Sequence, residues 1–257
     1  TKVECFPVKL QFKEPFVIAN VSNYDMYYVI TKITTDKGII GYGEAIPAWE
    51  VTGETQFSVI DVINHLCEPN KSGFNLIGQN IGTFEDVRNL FDKIIPQNQL
   101  AIIAKAPSAK AALEGAVLDA LGKNLNEPVY KIFNGKSKTI SVNSVIGIYP
   151  FEESLKRVQN AIISGTKIIK LKVGIPDVGS LPGFKRDIEL IRSSKKLIND
   201  SGKKIKLVAD ANQGFMTSEK TIEICKQIEG CLDWLEQPAY AEDKSAFKRI
   251  KEKCNIK

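Results

Sequence analysis

Three short runs hold the residue types used in acid–base and metal chemistry. They are Lys170 and Lys172 in "TKIIKLKVG", Asp210 and Asn212 in "KIKLVADAN", and Glu236 in "CLDWLEQP". A pair of ammonium groups can supply a base with a charged neighbour, and carboxylates can hold a hard divalent cation. Each run also has a bland reading. Lysines on an edge strand discourage aggregation, "DAN" makes an ordinary Asx turn, and "EQP" makes a strand exit ahead of proline. Taken singly, none of the three outweighs its bland reading.

Alternate residues of a strand share a face. In "TKIIKLKVG" Ile169, Leu171 and Val173 point one way and Lys170 and Lys172 the other. In "KIKLVADAN" Leu207, Ala209 and Ala211 share a face, which leaves Asp210 and Asn212 at the tip of the opposite one. In the third run Leu232, Trp234 and Glu236 fall together. Three successive strands thus deliver charge to their C-terminal ends, where the active sites of (β/α) barrels lie.

The elements carrying these residues alternate regularly. The expected order is strand 140–147, helix 151–164, strand 167–173, helix 184–199, strand 205–211, helix 218–229, strand 232–236 and helix 244–253. Four βα units in a row imply parallel strands covered by helices. They occupy about 130 residues where a complete barrel takes ~250, so the expectation is roughly half a barrel, with "CNIK" entering a fifth strand. An open doubly wound sheet is the alternative, but the first βα turn has no Gly-rich phosphate loop. The stretch 173–183, rich in Gly and Pro, is longer than a short βα loop and is expected as a disordered surface insertion, with a substrate-covering loop as the alternative.

Residues 1–125 read as an α+β unit, with strands expected at 3–12, 26–35 and 39–43. The helix in "ETQFSVIDVINHLCE" is expected to bury Phe57, Ile60, Ile63 and Leu66, with Thr55 or Glu54 as its cap. The sole histidine, His65, has no acid or nucleophile nearby in sequence and is expected at the surface or in packing. Helices also follow from "TFEDVRNLFDKII" and "SAKAALEGAVLDALGK".

Composition narrows the function. The 257 residues carry 35 basic and 30 acidic side chains, a net charge of +5 without a basic block. No nucleic-acid partner is indicated, and a mild positive potential suits an anionic small molecule. Five cysteines without a Cys-x-x-Cys pair argue against a disulfide framework or a structural zinc site and for a reducing, cytoplasmic setting. No apolar run reaches membrane-spanning length.

The joint order Lys-x-Lys, Asp, Glu on consecutive strand tips ("KLKVG", "DANQGF", "EQP") resembles the enolase superfamily, in its muconate-lactonizing subgroup. Within the N-terminal part, "GYGEAIPAWEVTGET" and "SAKAALEGAVLDALGKNLNEPVYKIFNG" are most similar to the dipeptide epimerases. The resemblance implies an α/β fold: an N-terminal α+β capping domain, 1–125, followed by a partial TIM-like (β/α)7β barrel, 126–257. It implies abstraction of a proton α to a carboxylate with Mg²⁺ as cofactor, Lys172 as base and Lys170 as the neighbouring charge. A lysine base needs a lowered pKa, which a second ammonium and a divalent cation both favour. Asp210 and Glu236 become metal ligands, and Val21, Val51, Thr52, Gly53 and Asn212 substrate contacts. Val21 stands where epimerases of acidic dipeptides present a basic residue, so an acidic second residue is not expected.

The family's third carboxylate and its second acid/base lysine are expected beyond residue 257. The partner is a small carboxylate, a dipeptide first of all, and a homo-oligomer is expected. Alternatives are an o-succinylbenzoate synthase or muconate cycloisomerase-like reaction, and a non-catalytic truncated chain. A Schiff-base aldolase would use one lysine but leaves Asp210 and Glu236 without a role.

Overall fold

β-Branched and aromatic residues carry the N-terminal hairpin further than its periodicity predicts. In the computed structural model, which describes residues 1–68, 75–94, 106–136, 139–175, 177–178 and 181–257, strand β1 spans Lys2–Ile18 and β2 spans Val21–Thr34. The stretch 13–25, between the strands expected at 3–12 and 26–35, is therefore strand except for the turn at Ala19 and Asn20. "FVI" and "YDMYYVI" are strong strand formers, and their preference decides the matter. Strand β3, Ile40–Ala45, pairs antiparallel with β2, completing a sheet ordered β1-β2-β3.

The chain divides into two compact units. One comprises Thr1–Gln11 with Asp25–Lys138, and the other Phe12–Tyr24 with Thr139–Lys257. In the first, α1 (Trp49–Thr52) ends at Gly53, whose φ of 70° is left-handed. Helix α2 (Gln56–Cys67) starts at Thr55, whose hydroxyl accepts from the Ser58 amide while Ser58 answers with its side chain, a reciprocal capping box. Its buried stripe is Val59, Ile63 and Leu66. Phe57, expected in that stripe, is 84% exposed; Ile63 and Leu66 are buried as expected and Ile60 partly so, with Val59 taking the place of Phe57. His65 is exposed, in line with a surface role.

Helix α3 (Phe84–Ile94) follows, with Ile95 of its sequence pattern outside the described residues. Then come α4 (Pro107–Leu125) and the short α5 (Val129–Ile132). The start of α4 is capped from a distance: the buried Glu54 carboxylate accepts from the Ser108 amide at 3.1 Å and the Ser108 hydroxyl at 2.6 Å. On its packed face, Ala112, Ala116 and Ala120 lie directly on Gly41 and Gly43 of β3. A Cβ on either glycine would strike the Ala116 or Ala112 carbonyl. Val29, Ile33, Phe91, Leu113 and Val117 fill the core around this contact.

The second unit holds the alternating elements. Strand β4 is Asn143–Ile146, α6 Phe151–Ile163, and β5 Ile168–Lys172. A two-residue antiparallel pair follows, β6 (Asp177–Val178) with β7 (Leu181–Pro182). The stretch expected to be disordered thus pairs with itself, although Pro176, Gly179 and Ser180 lie outside the described residues. Next come α7 (Gly183–Asp200), β8 (Lys206–Asp210), α8 (Ser218–Gln227), β9 (Trp234–Glu236) and α9 (Lys244–Lys253).

All four main strands are parallel, in the order β4-β5-β8-β9. Ile169, Leu171, Leu207 and Ala209 share one buried cluster with Val158, Ile162, Ile191, Ile198 and Ile224 of the helices. Consecutive helices pack on one another, α6 on α7, α7 on α8 and α8 on α9. Helices on one face only are the arrangement of a barrel wall, not of a doubly wound sheet. Beyond α9, the Leu235 amide donates to the Lys257 carbonyl at 2.9 Å, so the final residues run beside β9. Among the described residues no helix is long and apolar enough to cross a membrane, and all five cysteines are free.

Candidate active site

Parallel register sets the level of each charged side chain. Lys172 of β5 pairs across to Asp210 of β8, and Asp210 pairs across to Glu236 of β9. Three adjacent strands therefore end at one height with one chemically active residue each. Lys170 lies two residues lower on the same face as Lys172, opposite Val208. The strand parity expected from the sequence holds: Ile169, Leu171 and Val173 are fully buried on the helix side.

The four charges form one network. Lys172 Nζ donates to Asp210 Oδ2 at 2.6 Å and to Asn212 Oδ1 at 2.8 Å. Lys170 Nζ lies 3.0 Å from the same Asp210 oxygen and 2.8 Å from Glu236 Oε2. The lysine side chains are 14% and 11% exposed and that of Asp210 only 2%, while Glu236 stands 48% open to solvent. Burial alone would raise the pKa of Asp210, but the ammonium groups of Lys172 and Lys170 outweigh it and hold the carboxyl below its usual range. For Lys170 burial works downward, yet the carboxylates of Glu236 and Asp210 prevail and push it up. The neighbours that dominate Lys170 are anions, so it is held charged.

The loops leaving β8 and β9 are tied to each other by main-chain bonds. Ala211 donates to the Glu236 carbonyl at 3.1 Å, Gln213 to that of Gln237 at 2.7 Å, and Phe215 to that of Pro238 at 3.1 Å. The Gln213 side chain adds a fourth tie, accepting from the Ala241 amide at 2.8 Å. Asn212, Gln213 and Gln237, the residues that make these turns, all have positive φ, 43°, 70° and 42°. Such backbone is costly for residues other than glycine, and here it turns the chain sharply after each carboxylate. The Asp210 side chain helps by accepting from the Asn212 amide at 3.0 Å.

Of the residues singled out from the sequence, Lys170, Lys172, Asp210, Asn212 and Glu236 come together in the second unit. Val21 opens β2 in the part of the hairpin belonging to that same unit. In the adjoining turn, Asn20 Nδ2 donates to the Asn212 carbonyl at 2.8 Å, a contact that local sequence patterns do not signal. Val51, Thr52 and Gly53 lie in the first unit, at the end of α1; Val51 is 83% exposed. Gln213 was also missed, although its place between "DAN" and a glycine marks a sharp turn.

The donor set suits a small hard cation. Both carboxylates approach one ammonium, so they can share one positive charge, and both offer only oxygen. No group of three His, Cys, Asp or Glu side chains able to hold a metal occurs among the described residues. The carboxylates thus number two, enough for a cation that keeps positions for substrate or water.

Comparison with known proteins places this geometry in context. Residues 1–133 match the family described as mandelate racemase / muconate lactonizing enzyme, N-terminal domain, and residues 153–257 match the enolase C-terminal domain-like description. An N-succinyl-L-Arg/Lys racemase of Bacillus cereus is 31% identical over 100% of this chain and 64% of its own length. The crystal structure of that racemase has a TM-score of 0.81, covering 99% of this chain and 63% of that one. An L-Ala-D/L-Glu epimerase of Bacillus subtilis is 27% identical over 97% of this chain and 63% of its own length. Its substrate-liganded structure has a TM-score of 0.81 at 26% identity, covering 99% of this chain and 66% of that one. A dipeptide epimerase from Cytophaga hutchinsonii, complexed with Mg and the dipeptide D-Ala-L-Val, has a TM-score of 0.78 at 28% identity. It is covered over 63% of its length, against 99% of this chain. The chain thus spans 64% and 63% of the length of the two curated relatives.

Proposed function

The chain belongs to the mandelate racemase / muconate lactonizing enzyme family, and from that premise we propose that the protein is a Mg²⁺-dependent racemase or epimerase of N-acylated amino acids, dipeptides first among them. One observation carries the reading: two lysines on one strand meet carboxylates from the next two strand ends at 2.6–3.0 Å. Dipeptides and N-succinyl amino acids, named in the relatives above, are both amino acids acylated on nitrogen with a free α-carboxylate. That shared group is the part of the substrate this site addresses.

A proton next to a carboxylate is very weakly acidic, and its loss places a second negative charge on the carboxylate as an enediolate. Stabilising that charge is the main task. In the proposal Lys172 takes the proton and Lys170 holds a fixed positive charge beside the developing anion. Asp210 and Glu236 would hold the metal, which when bound supplies further positive charge to the substrate carboxylate. Asn212 orients the Lys172 ammonium, and with Val21 of the same unit it is proposed to contact the substrate. Residues 1–125 are proposed as a capping domain and 126–257 as part of the catalytic one. Five free cysteines favour a cytoplasmic setting, and a homo-oligomer is part of the same proposal.

The test is isotope exchange. The protein with Mg²⁺ in D₂O is offered a panel of L-Ala-L-X dipeptides and N-succinyl amino acids, and the α-position is followed by NMR. Deuterium entering that position, with the opposite epimer accumulating, is the expected result. No exchange into any member of the panel would sink the proposal; loss of water or ring closure instead would move the protein to the synthase or cycloisomerase reading.

A further inference from the structure

Behind the strand ends lies a buried ion pair that the chemistry above does not use. Arg186 and Asp187, near the start of α7, are each 1% exposed. Arg186 Nη1 donates to Asp187 Oδ1 at 2.8 Å, and its Nη2 donates to the Tyr149 carbonyl and, at 3.1 Å, to Ser154 Oγ. The other Asp187 oxygen accepts from the Gly174 amide at 2.8 Å. We propose that Arg186 and Asp187 are positioning residues that fix the exits of β4 and β5, and through them the place of Lys172.

Gly174 is the second residue after Lys172. Its φ of 99° is open to glycine alone, and a Cβ there would lie 2.6 Å from the Ala211 carbonyl and 3.0 Å from Gly214 Cα. The chain therefore turns away from β5 by pressing its bare backbone on the loop that follows Asp210. Val173, between Lys172 and Gly174, donates to the Asp210 carbonyl at 3.0 Å. With one side of this turn held by the Asp210 loop, Asp187 holds the other through the Gly174 amide. Arg186 ties the same carboxylate to the turn after β4, where Tyr149 lies. The pair thus links the exits of two strands directly and that of β8 through Gly214.

A purely structural role predicts something different. A buried ion pair is seldom better for stability than apolar side chains of similar volume, so stability alone gives little reason for this one. Its hydrogen bonds, by contrast, all end on chain that leaves a strand tip or on the helix that follows. Small misplacement of a reacting group is expensive in rate, and this pair controls the direction in which the chain leaves Lys172.

The inference rests on the epimerase reading, and the experiment separates the two. α-Proton exchange is measured in the protein carrying this chain and in the variants R186M/D187L and R186M/D187N. Both remove the buried charges, but the asparagine can still accept from Gly174. Expected are similar melting temperatures for the two, a fall in kcat of roughly tenfold or more for the leucine variant with little change in KM, and recovery to within about threefold for the asparagine variant. Equal kcat in both variants, whether retained or lost, overturns the positioning role. If the leucine variant does not fold, Asp187→Asn alone decides. Its melting temperature should fall while kcat stays within about threefold, and a tenfold loss with the acceptor retained overturns the inference. Absence of exchange in the unaltered protein would instead refute the epimerase reading.

Discussion

Asp210 Oδ2 receives both lysine ammoniums, at 2.6 and 3.0 Å, and this makes Asp210 the residue through which the four charges are coupled. Removing it leaves the nearly buried Lys172 without a carboxylate and Lys170 with Glu236 alone, whereas Glu236 is half open to water. Asp210→Asn is therefore expected to cost about 3 kcal/mol in urea unfolding at pH 7, and Glu236→Gln about 1 kcal/mol or less. Equal costs would contradict the coupling. In the exchange assay Lys172→Met should lose about 10²–10⁴-fold in kcat, the usual worth of a general base. These residues were legible because each sits at a strand tip where period-two alternation fixes its face. Arg186 and Asp187 were not: their partners lie on other elements, and no local pattern distinguishes a buried ion pair from a charged helix start.

At the scale of the element, the contact between α4 and β3 makes two opposite predictions. Gly43→Ala would place its Cβ against the Ala112 carbonyl, so helix and strand must separate. Overpacking of this kind costs roughly 1–3 kcal/mol. Across the same contact, a Cβ on Gly115 would lie 3.6 Å from Gly43 Cα, ordinary van der Waals distance. Gly115→Ala should then stabilise by up to about 1 kcal/mol, because alanine favours the helix. Thermal unfolding of the two variants checks both signs, and a loss in each would mean the contact is tight all along its length. The strands and helices of the second unit were legible to within a few residues, since apolar parity and helical spacing are local. The length of the hairpin was missed because its strand formers face solvent in part and do not alternate.

For the molecule as a whole, the buried Asp187 leaves a mark on stability. Burial pushes its carboxyl up to about 6, against the opposing pull of the Gly174 amide and the Arg186 charge. The folded state therefore holds that proton more tightly than the unfolded chain, in which an aspartate titrates near ~4. This contribution is complete below ~4, is lost as the pH rises through about 6, and amounts to about 3 kcal/mol. Urea unfolding between pH 4 and pH 7 should show the unaltered protein losing that much relative to Asp187→Asn, in which Arg186 is the one charged group left at the site. Parallel pH dependences would refute the assignment. The βα rhythm made the α/β class legible, but not that residues 12–24 belong with residues 139–257, because membership of a compact unit depends on contacts far apart in sequence.

That discontinuity bears on how the protein is made. Residues 12–24 leave the ribosome long before any of the residues from 139 onward that complete their unit. At ordinary rates of synthesis the wait is roughly 5–25 seconds. During it Phe12, Phe16, Val17 and Ile18 lack the rest of their unit, and chaperones that recognise extended apolar chain have their opportunity at this hairpin.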